Sequence, residues 1–505
     1  MAIQTPPPRT SVAAPPRRQH PTAAFLTAAF GTAILSHLRA PTTPEQQVRR
    51  RVTSRVLLQA GFLWLVTRLV YAAVTLTALV FGGGESLTSR LEPRELVHAW
   101  AQFDTTFYLR IAAEGYTRAN KVDDSFFPLY PLLIHGGTLL LGQQHAALVA
   151  LIIANAALLA AFLGLALLAQ HDAHASPRAA PYTLLALSAY PLAFFLSAPW
   201  TDGLFLCFAT WTLYGARSQR WRLAATCTFL AILTRISGFA LVPPLAVGYF
   251  LAQWPRRETL HPSLFERPPA ARRAKRLISM WRALAARIYG MLYNCLCTWP
   301  RTLTTIWVLE APVLAVLLLL AMYWLVAGDA LAYLNRQHAE FGHVSLPLWQ
   351  TVALLWRQIT ATTPLSYRVE RVLVDAIPLA LVTLFLICFA VPWQIPLRRR
   401  WRERLMGVRW LAWLTRLGAV RPLPLVYTLY LAAIVAMCVT QPVVNVQFPN
   451  VVLGSGRYIT AAVPLWLVLG RWVERLPWLQ ALLLGGGWAL QALLLGYYLH
   501  GGWLV

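Results

Sequence analysis

The chain has 505 residues, of which 58% are hydrophobic and only 12% charged. A soluble globular protein carries about twice that charged fraction, so no large soluble domain fits here and the sequence reads as an all-α polytopic membrane protein. The net charge of +25 is almost wholly arginine, because Lys121 and Lys275 are the only lysines. These arginines cluster in the N-terminal tail and in a few loops between apolar runs. That is how topology signals are distributed, and it sets nucleic-acid binding aside.

Residues 1–50 are rich in Pro, Thr and Arg and read as a disordered basic cytoplasmic tail. They lack the charged start, apolar stretch and cleavage pattern of a signal peptide. Residues 23–38 are apolar but short, as in an interfacial segment, with a span as the second reading. Arg49, Arg50, Arg51 and Arg55 precede the first strong span, residues 56–81, and are expected to keep its N-terminus in the cytoplasm. The rest, 51–505, reads as a single transmembrane domain. Gly82-Gly83-Gly84 ends the first span on the outer side.

Residues 83–131 then form an external loop with its own pattern. Asp104 stands where an N-cap is expected and Gly115 where a C′ glycine is expected. Phe103, Phe107 and Ile111 recur every four residues, which predicts a short amphipathic helix suited to lying on a bilayer. A polar gap follows, then Phe126-Phe127-Pro128-Leu129-Tyr130-Pro131, whose prolines and aromatics would shape a groove wall.

Residues 132–141 are too short to cross and read as re-entrant or juxtamembrane. Segment 146–170 returns inward and 181–198 goes out. Pro199-Trp200-Thr201-Asp202 is an outer turn, and 203–215 goes back. Arg217, Arg220 and Arg222 mark an inner loop. Residues 221–250 read as a pair of spans or a helix broken at Thr234-Arg235-Ile236-Ser237-Gly238. Residues 254–301 and 398–421 are basic cytoplasmic loops. Between them, 304–327 crosses out, 328–371 is an outer loop and 372–391 returns. Segment 423–439 goes out, 441–457 is outer, and 458–473 and 479–498 finish the chain. That is roughly ten to twelve transmembrane helices. With orientation set by arginines alone, Asp104, Asp202, the 328–371 loop and the 441–457 loop share the outer face.

Four residues carry the candidate chemistry. Asp104 is either an N-cap, worth about 1 kcal/mol, or a general base at a water–membrane boundary. The helix terminus is expected to lower its pKa. Asp202 is either a cap for 203–215 or a ligand for a sugar hydroxyl or metal. Arg235, near or within the membrane, either snorkels or pairs with a lipid phosphate. Arg457 with Tyr458 is either a topological anchor or a second phosphate ligand. His338 and His343, near Glu340, match no strong metal spacing and read as solvated. Six cysteines, mostly within apolar runs, give no disulfide framework. Cys295 and Cys297 lie too close for a usual zinc pair.

Phe103-Asp104 followed by a Phe/Tyr-rich helix ending Ile111-Ala112-Ala113-Glu114-Gly115-Tyr116, then Phe126-Phe127-Pro128-Leu129-Tyr130-Pro131, resembles the PIG-V family. These are mannosyltransferases related to the second mannosyltransferase of glycosylphosphatidylinositol synthesis, in the GT-C superfamily. The stretch from Tyr190 to Asp202, Thr234-Arg235-Ile236-Ser237-Gly238, Gly328-Asp329-Ala330-Leu331-Ala332-Tyr333 and Gly456-Arg457-Tyr458 resemble further family elements in order. Phe103 stands where Trp is common in the family, and Gly203 where Ser is usual. The resemblance implies a GT-C-type fold with amphipathic external juxtamembrane helices. It also implies transfer of a hexose, with mannose the family's sugar, from a polyprenyl-phosphate donor to a glycolipid or glycan acceptor. Asp104 would be the catalytic base, and Asp202, Arg235, Arg457, Tyr458, Tyr108 and Phe127 the substrate-binding set. The site would face outside in a multi-pass cell-membrane protein, or the lumen of the endoplasmic reticulum in a eukaryote. A divalent cation is admitted as a cofactor, although no ligand motif calls for one. A transporter or lipid flippase is the rival class; it predicts paired broken helices in two similar halves, and the sequence shows no convincing internal repeat.

Overall fold

A computed structural model describes residues 44–81, 92–117, 119–173, 176, 178–254, 284–293, 295, 299–360, 372–387, 423–444 and 451–503. The chain divides into two compact units, Met1–Arg51 and Val52–Val505, and the second holds the helical bundle. The segment 23–38, most of the tail, Gly82-Gly83-Gly84, the 398–421 loop and most of the 254–301 loop lie outside the described residues.

The principal helices are α1 (Pro44–Phe81), α2 (Asp104–Glu114), α3 (Leu129–Leu141), α4 (Ala146–Ala173), α5 (Ala179–Ser188), α6 (Thr201–Arg217), α7 (Trp221–Thr234) and α8 (Val242–Gln253). There follow α9 (Trp299–Ala327), α10 (Ala332–Phe341), α11 (Leu348–Thr360), α12 (Ile377–Phe385), α13 (Leu425–Thr440), α14 (Val463–Arg475) and α15 (Trp488–Leu499). Among the described residues there is no strand, only an isolated bridge between His343 and Val443. The protein is all-α.

Five helical stretches are long and apolar enough to cross a membrane: Thr53–Phe81, Gln143–Asp172, Ile236–Gln253, Arg301–Ala327 and Pro477–Leu499. Five shorter apolar helices accompany them among the described residues. Expected crossings are shortened where the chain breaks. The segment 181–198 ends its α-helix at Ser188, and Pro191 lies just before a 3-10 turn, Ala193–Leu196, as expected of a residue without an N–H. The last span is interrupted by a π-turn at Leu483–Gly487. The 328–371 loop is not simply a loop, since it contains α10 and α11.

The centre of the bundle is α6. Every residue from Thr201 to Ala216 is buried, which marks an interior helix covered on all sides. It packs against α4 and α7, α7 packs in turn on α9, and α5 packs on α14. At Gly203 a Cβ would strike the Leu196 carbonyl and stand 3.0 Å from the Ala154 carbonyl. Glycine at this position therefore has a steric cause. At the periphery, Leu58, Phe62 and Leu69 of α1 are more than 60% exposed, an apolar surface suited to lipid.

Helix α2 does not lie free on a surface; it packs on α3 and α4. Its buried face is Thr105, Tyr108, Ile111 and Ala112, turned from the expected Phe103–Phe107–Ile111 stripe. The polar gap is tied to the helix and to α10 by ion pairs. Arg110 pairs with buried Asp123, and Arg336 of α10 stands 3.8 Å from Asp124. Phe107 stacks on Phe126 at 4.8 Å between centroids.

Candidate active site

Asp104 opens α2, but it is the first helical residue and not its cap. Phe103 holds the N-cap position with φ 50° and ψ −113°, and no side chain caps the helix. A positive φ is costly for a bulky residue and tends to persist where surrounding structure imposes it. Here Trp200 does so: its Nε1–H donates to the Gln102 carbonyl at 3.2 Å and to Thr105 Oγ1 at 3.1 Å. The Phe103 ring is wedged against Tyr498 and Trp503, at 5.8 and 4.9 Å. The carboxylate makes no cap hydrogen bond to the helix end. It meets Arg457, whose Nη1 lies 3.8 Å away.

Asp202 likewise does not cap its helix; Trp200 is the N-cap of α6 and Asp202 lies in the first turn. Its Oδ1 accepts from Arg235 Nη1 at 2.6 Å and stands 3.5 Å from Arg457 Nε. The Asp202 side chain is only 3% exposed. It stands behind the guanidinium groups and not on the cavity surface.

Arg235 sits at the expected break. It caps α7 in an extended conformation, and its carbonyl accepts from Gly238 N–H at 2.9 Å. A Cβ on Gly238 would meet the Ala231 carbonyl, so the chain can fold back there only with glycine. Arg457 follows a rigid turn. Gly456 N–H donates to Asp375 Oδ1 at 3.0 Å, Ser455 Oγ–H donates to the Asp375 carbonyl at 3.1 Å, and Tyr190 O–H donates to the Gly456 carbonyl at 2.8 Å. Tyr458 lies under both cations, 4.7 Å from Arg235 and 5.4 Å from Arg457. Trp200 adds a second face to Arg457 at 4.6 Å.

Asp104, Arg235, Arg457, Tyr108, Phe127 and Tyr458 line one cavity of about 140 Å³. Six of the seven expected site residues therefore share a surface, and Asp202 supports it from behind. Tyr108 O–H lies 3.5 Å from Thr201 Oγ1, and Phe127 packs on Tyr333 at 4.6 Å. The cavity is smaller than the roughly 300–1,000 Å³ of usual small-molecule sites. It could take a phosphate or one face of a sugar, while any lipid chain would lie outside.

The electrostatics are uneven. Asp202 Oδ2 and Arg457 Nε are buried without hydrogen-bond partners among the described residues. Such groups are rare in folded proteins and call for an explanation. Burial pushes the Asp104 carboxyl above the usual carboxylate range; Arg457 pulls it back and Asp202 adds to the rise. The direction is opposite to the lowering expected from the helix terminus.

The sequence reading missed several neighbours. His343, expected in solvent, lines the cavity; its Nδ1 lies 3.2 Å from the Gln441 carbonyl, and burial lowers its pKa. Tyr333, which ends the Gly328–Tyr333 element, also lines it, as do Gln337 and Trp503, which no local pattern marks. Asp375 could have been found, since a carboxylate inside an apolar run is a site candidate by default. His338 Nδ1 lies 3.1 Å from the His343 carbonyl. Among the described residues, no group of three or more His, Cys, Asp or Glu side chains could hold a metal ion. The two site carboxylates face guanidinium groups instead, and no step is assigned to a cation.

No family model matches this chain, and no curated protein or solved structure matches it either.

Proposed function

We propose that the protein is an integral-membrane glycosyltransferase of the GT-C type, which moves a hexose from a polyprenyl-phosphate donor to a glycolipid or glycan acceptor at the outer face of the membrane. The observation that carries this reading is the shared position of Arg457. Its guanidinium lies 3.8 Å from Asp104 and 3.5 Å from Asp202, and Arg235 completes the group beside one cavity. Two cations held against aromatic faces, one with an unmet donor, suit a phosphate. A carboxylate with a raised pKa beside them suits a general base.

In the proposed reaction the acceptor hydroxyl oxygen attacks the anomeric carbon from the face opposite the phosphate. The bond between that carbon and the phosphate oxygen breaks. Asp104 takes the hydroxyl proton, and the polyprenyl phosphate leaves as an anion stabilised by Arg457 and Arg235. A phosphate leaves without a strong general acid, so one carboxylate suffices where glycoside hydrolysis needs two. Single displacement inverts the anomeric configuration. Asp202 fixes both guanidinium groups, and Tyr108 and Phe127 form the apolar wall.

Purified protein in liposomes with a radiolabelled polyprenyl-phosphate hexose tests the class. Covalent transfer of label to an acceptor lipid supports the reading; movement of an unchanged solute or lipid without transfer would replace it with a transporter. Glycolipid mass spectrometry of a deletion strain then names the acceptor as the species that accumulates one hexose short.

A further inference from the structure

Arg68 lies midway along the candidate span Thr53–Phe81 of α1, roughly 20 Å from either end of it. That is farther than an arginine side chain can snorkel to an interface. An arginine at such a depth is costly unless it meets polar partners, and it marks a functional site by default. The guanidinium is held against the bundle. Its Nε and Nη2 donate to Thr67 Oγ1 at 3.3 and 3.1 Å, and its Nη1 donates to Asn155 Oδ1 of α4. It also lies over the rings of Tyr71 and Trp64, at 4.8 and 5.6 Å. All four partners are neutral. No carboxylate among the described residues pairs with Arg68, and each terminal nitrogen carries a second N–H. Arg68, Asn155, Trp64 and Ser197 share a cavity of about 320 Å³ whose described lining holds no carboxylate. Two further polar atoms of these residues, Trp64 Nε1 and Ser197 Oγ, are buried without hydrogen-bond partners among the described residues. Asn155 does not meet them, since its Nδ2 donates to the Leu151 and Ser197 carbonyls at 2.8 and 3.1 Å.

We propose that this cavity binds the phosphate of an anionic membrane lipid that enters sideways between α1 and α4. A guanidinium with further N–H groups, an indole N–H and a hydroxyl suit a phosphate, which brings the missing counter-charge and several acceptor oxygens together. The source is a lipid because of where the mouth lies. Ala72 of α1 and Ile152 of α4 both line the cavity and are exposed, Ile152 by 51%. Leu65 and Leu69 continue the same apolar exterior along α1, so a lipid chain can run there while its phosphate sits inside. The depth suits a phosphate too. Trp100, another wall of the cavity, packs on Tyr71 at 6.0 Å and donates from Nε1 to Thr75 Oγ1 at 3.1 Å. Trp100 precedes Asp104 and Ser197 precedes Asp202 by a few residues, so polar segments of the protein reach this level of α1. The two cavities share no lining residue. The Arg68 site is therefore independent of the proposed transfer reaction and can fail or stand without it.

Native mass spectrometry of the full chain, released from phosphatidylcholine nanodiscs that carry either phosphatidylglycerol or a polyprenyl phosphate, provides the test. At least one of the two anionic lipids is expected to be retained over phosphatidylcholine, and which one it is names the source of the phosphate. Its retention should fall about tenfold in Arg68→Gln, which removes a charged hydrogen-bond donor, and about threefold in Trp64→Phe, which keeps the ring and removes only the N–H. Arg68→Lys keeps the charge and should fall between the parent and Arg68→Gln. Circular dichroism confirms that each variant is folded. Equal retention of both lipids by Arg68→Gln and the parent would overturn the proposal, as would a parent that retains neither. So would retention that is lost in Arg457→Gln and kept in Arg68→Gln, which would place the bound phosphate in the reaction cavity alone and leave the transfer reading intact.

Discussion

Two buried aspartate–arginine clusters stand at opposite ends of the central helix, and they differ in how well their polar atoms are satisfied. At the C-terminal end, Asp172 Oδ1 accepts from Arg217 Nε and Nη2 at 3.0 and 2.9 Å and lies 3.2 Å from His171 Nδ1. Its Oδ2 accepts from Tyr427 O–H. At the N-terminal end, Asp202 Oδ2 and Arg457 Nε have no hydrogen-bond partner among the described residues, and Arg457 reaches its carboxylates only at 3.5 and 3.8 Å. A satisfied buried network fixes structure, while an under-satisfied one beside a cavity holds unused interaction energy for a ligand. The same residue types thus serve as a staple at one end and as a candidate site at the other.

Paired carboxylate-to-amide substitutions are the sharpest way to break this contrast. Asp104→Asn should reduce transfer by about 10²–10⁴-fold, the usual contribution of a general base. The same variant should be more thermally stable than the parent. A carboxyl whose folded pKa lies above its unfolded value favours the fold in its protonated form. Its contribution is full below the ordinary carboxylate pKa and is lost as pH rises through the raised value, so ionised Asp104 costs stability near neutrality. For the same reason the parent's transfer rate should climb with pH across that raised pKa, and this limb should vanish in the variant. Asp172→Asn should do the opposite. It weakens a buried pair and should cost about 3 kcal/mol, the low end for such pairs, since the Arg217 side chain is 28% exposed. Transfer per folded molecule should be unchanged. Chemical unfolding and steady-state assays of both variants decide the matter; an Asp172 variant that loses activity while keeping its stability would dissolve the distinction.

The features legible in the sequence are those set by local chemistry. The break at Arg235 was visible because Thr234-Arg235-Ile236-Ser237-Gly238 interrupts an apolar run, and the structure bends there. Asp104 and Arg457 could be singled out because each charged residue opens or precedes an apolar segment. That Arg457 lies between Asp104 and Asp202 could not be read, because it joins stretches some 100 to 350 residues apart and leaves no local period. The capping expectations for both aspartates failed for a related reason. Capping is the local alternative, and a buried guanidinium from elsewhere in the chain competed for each carboxylate and won. His343 and Trp503 enter the cavity purely by tertiary packing.

An intermediate effect is expected at the turn that carries Arg457. Asp375 is fully buried and does not line the cavity, yet it holds Gly456 and Ser455. Asp375→Ala removes the acceptor for Gly456 N–H, a loss of about 1–1.5 kcal/mol for a hydrogen bond. If that loss falls on the position of Arg457, donor KM rises roughly tenfold. Asp375→Asn keeps an oxygen acceptor and should restore most of the parent value. A pair of variants with equal KM would mean that the turn holds Arg457 by other contacts.

The smallest effect should come from the ring beneath the two cations. Tyr458 faces Arg235 and Arg457 at 4.7 and 5.4 Å, and such contacts are worth about 0.5–2 kcal/mol. Tyr458→Phe keeps the π face and should change donor KM little. Tyr458→Leu removes it and should raise KM several-fold, with kcat less affected, because the ring orients charge already present before the reaction begins. If Phe and Leu behave alike and both are impaired, the hydroxyl and not the ring face is what matters, and Tyr458 would then belong with the groups that touch substrate.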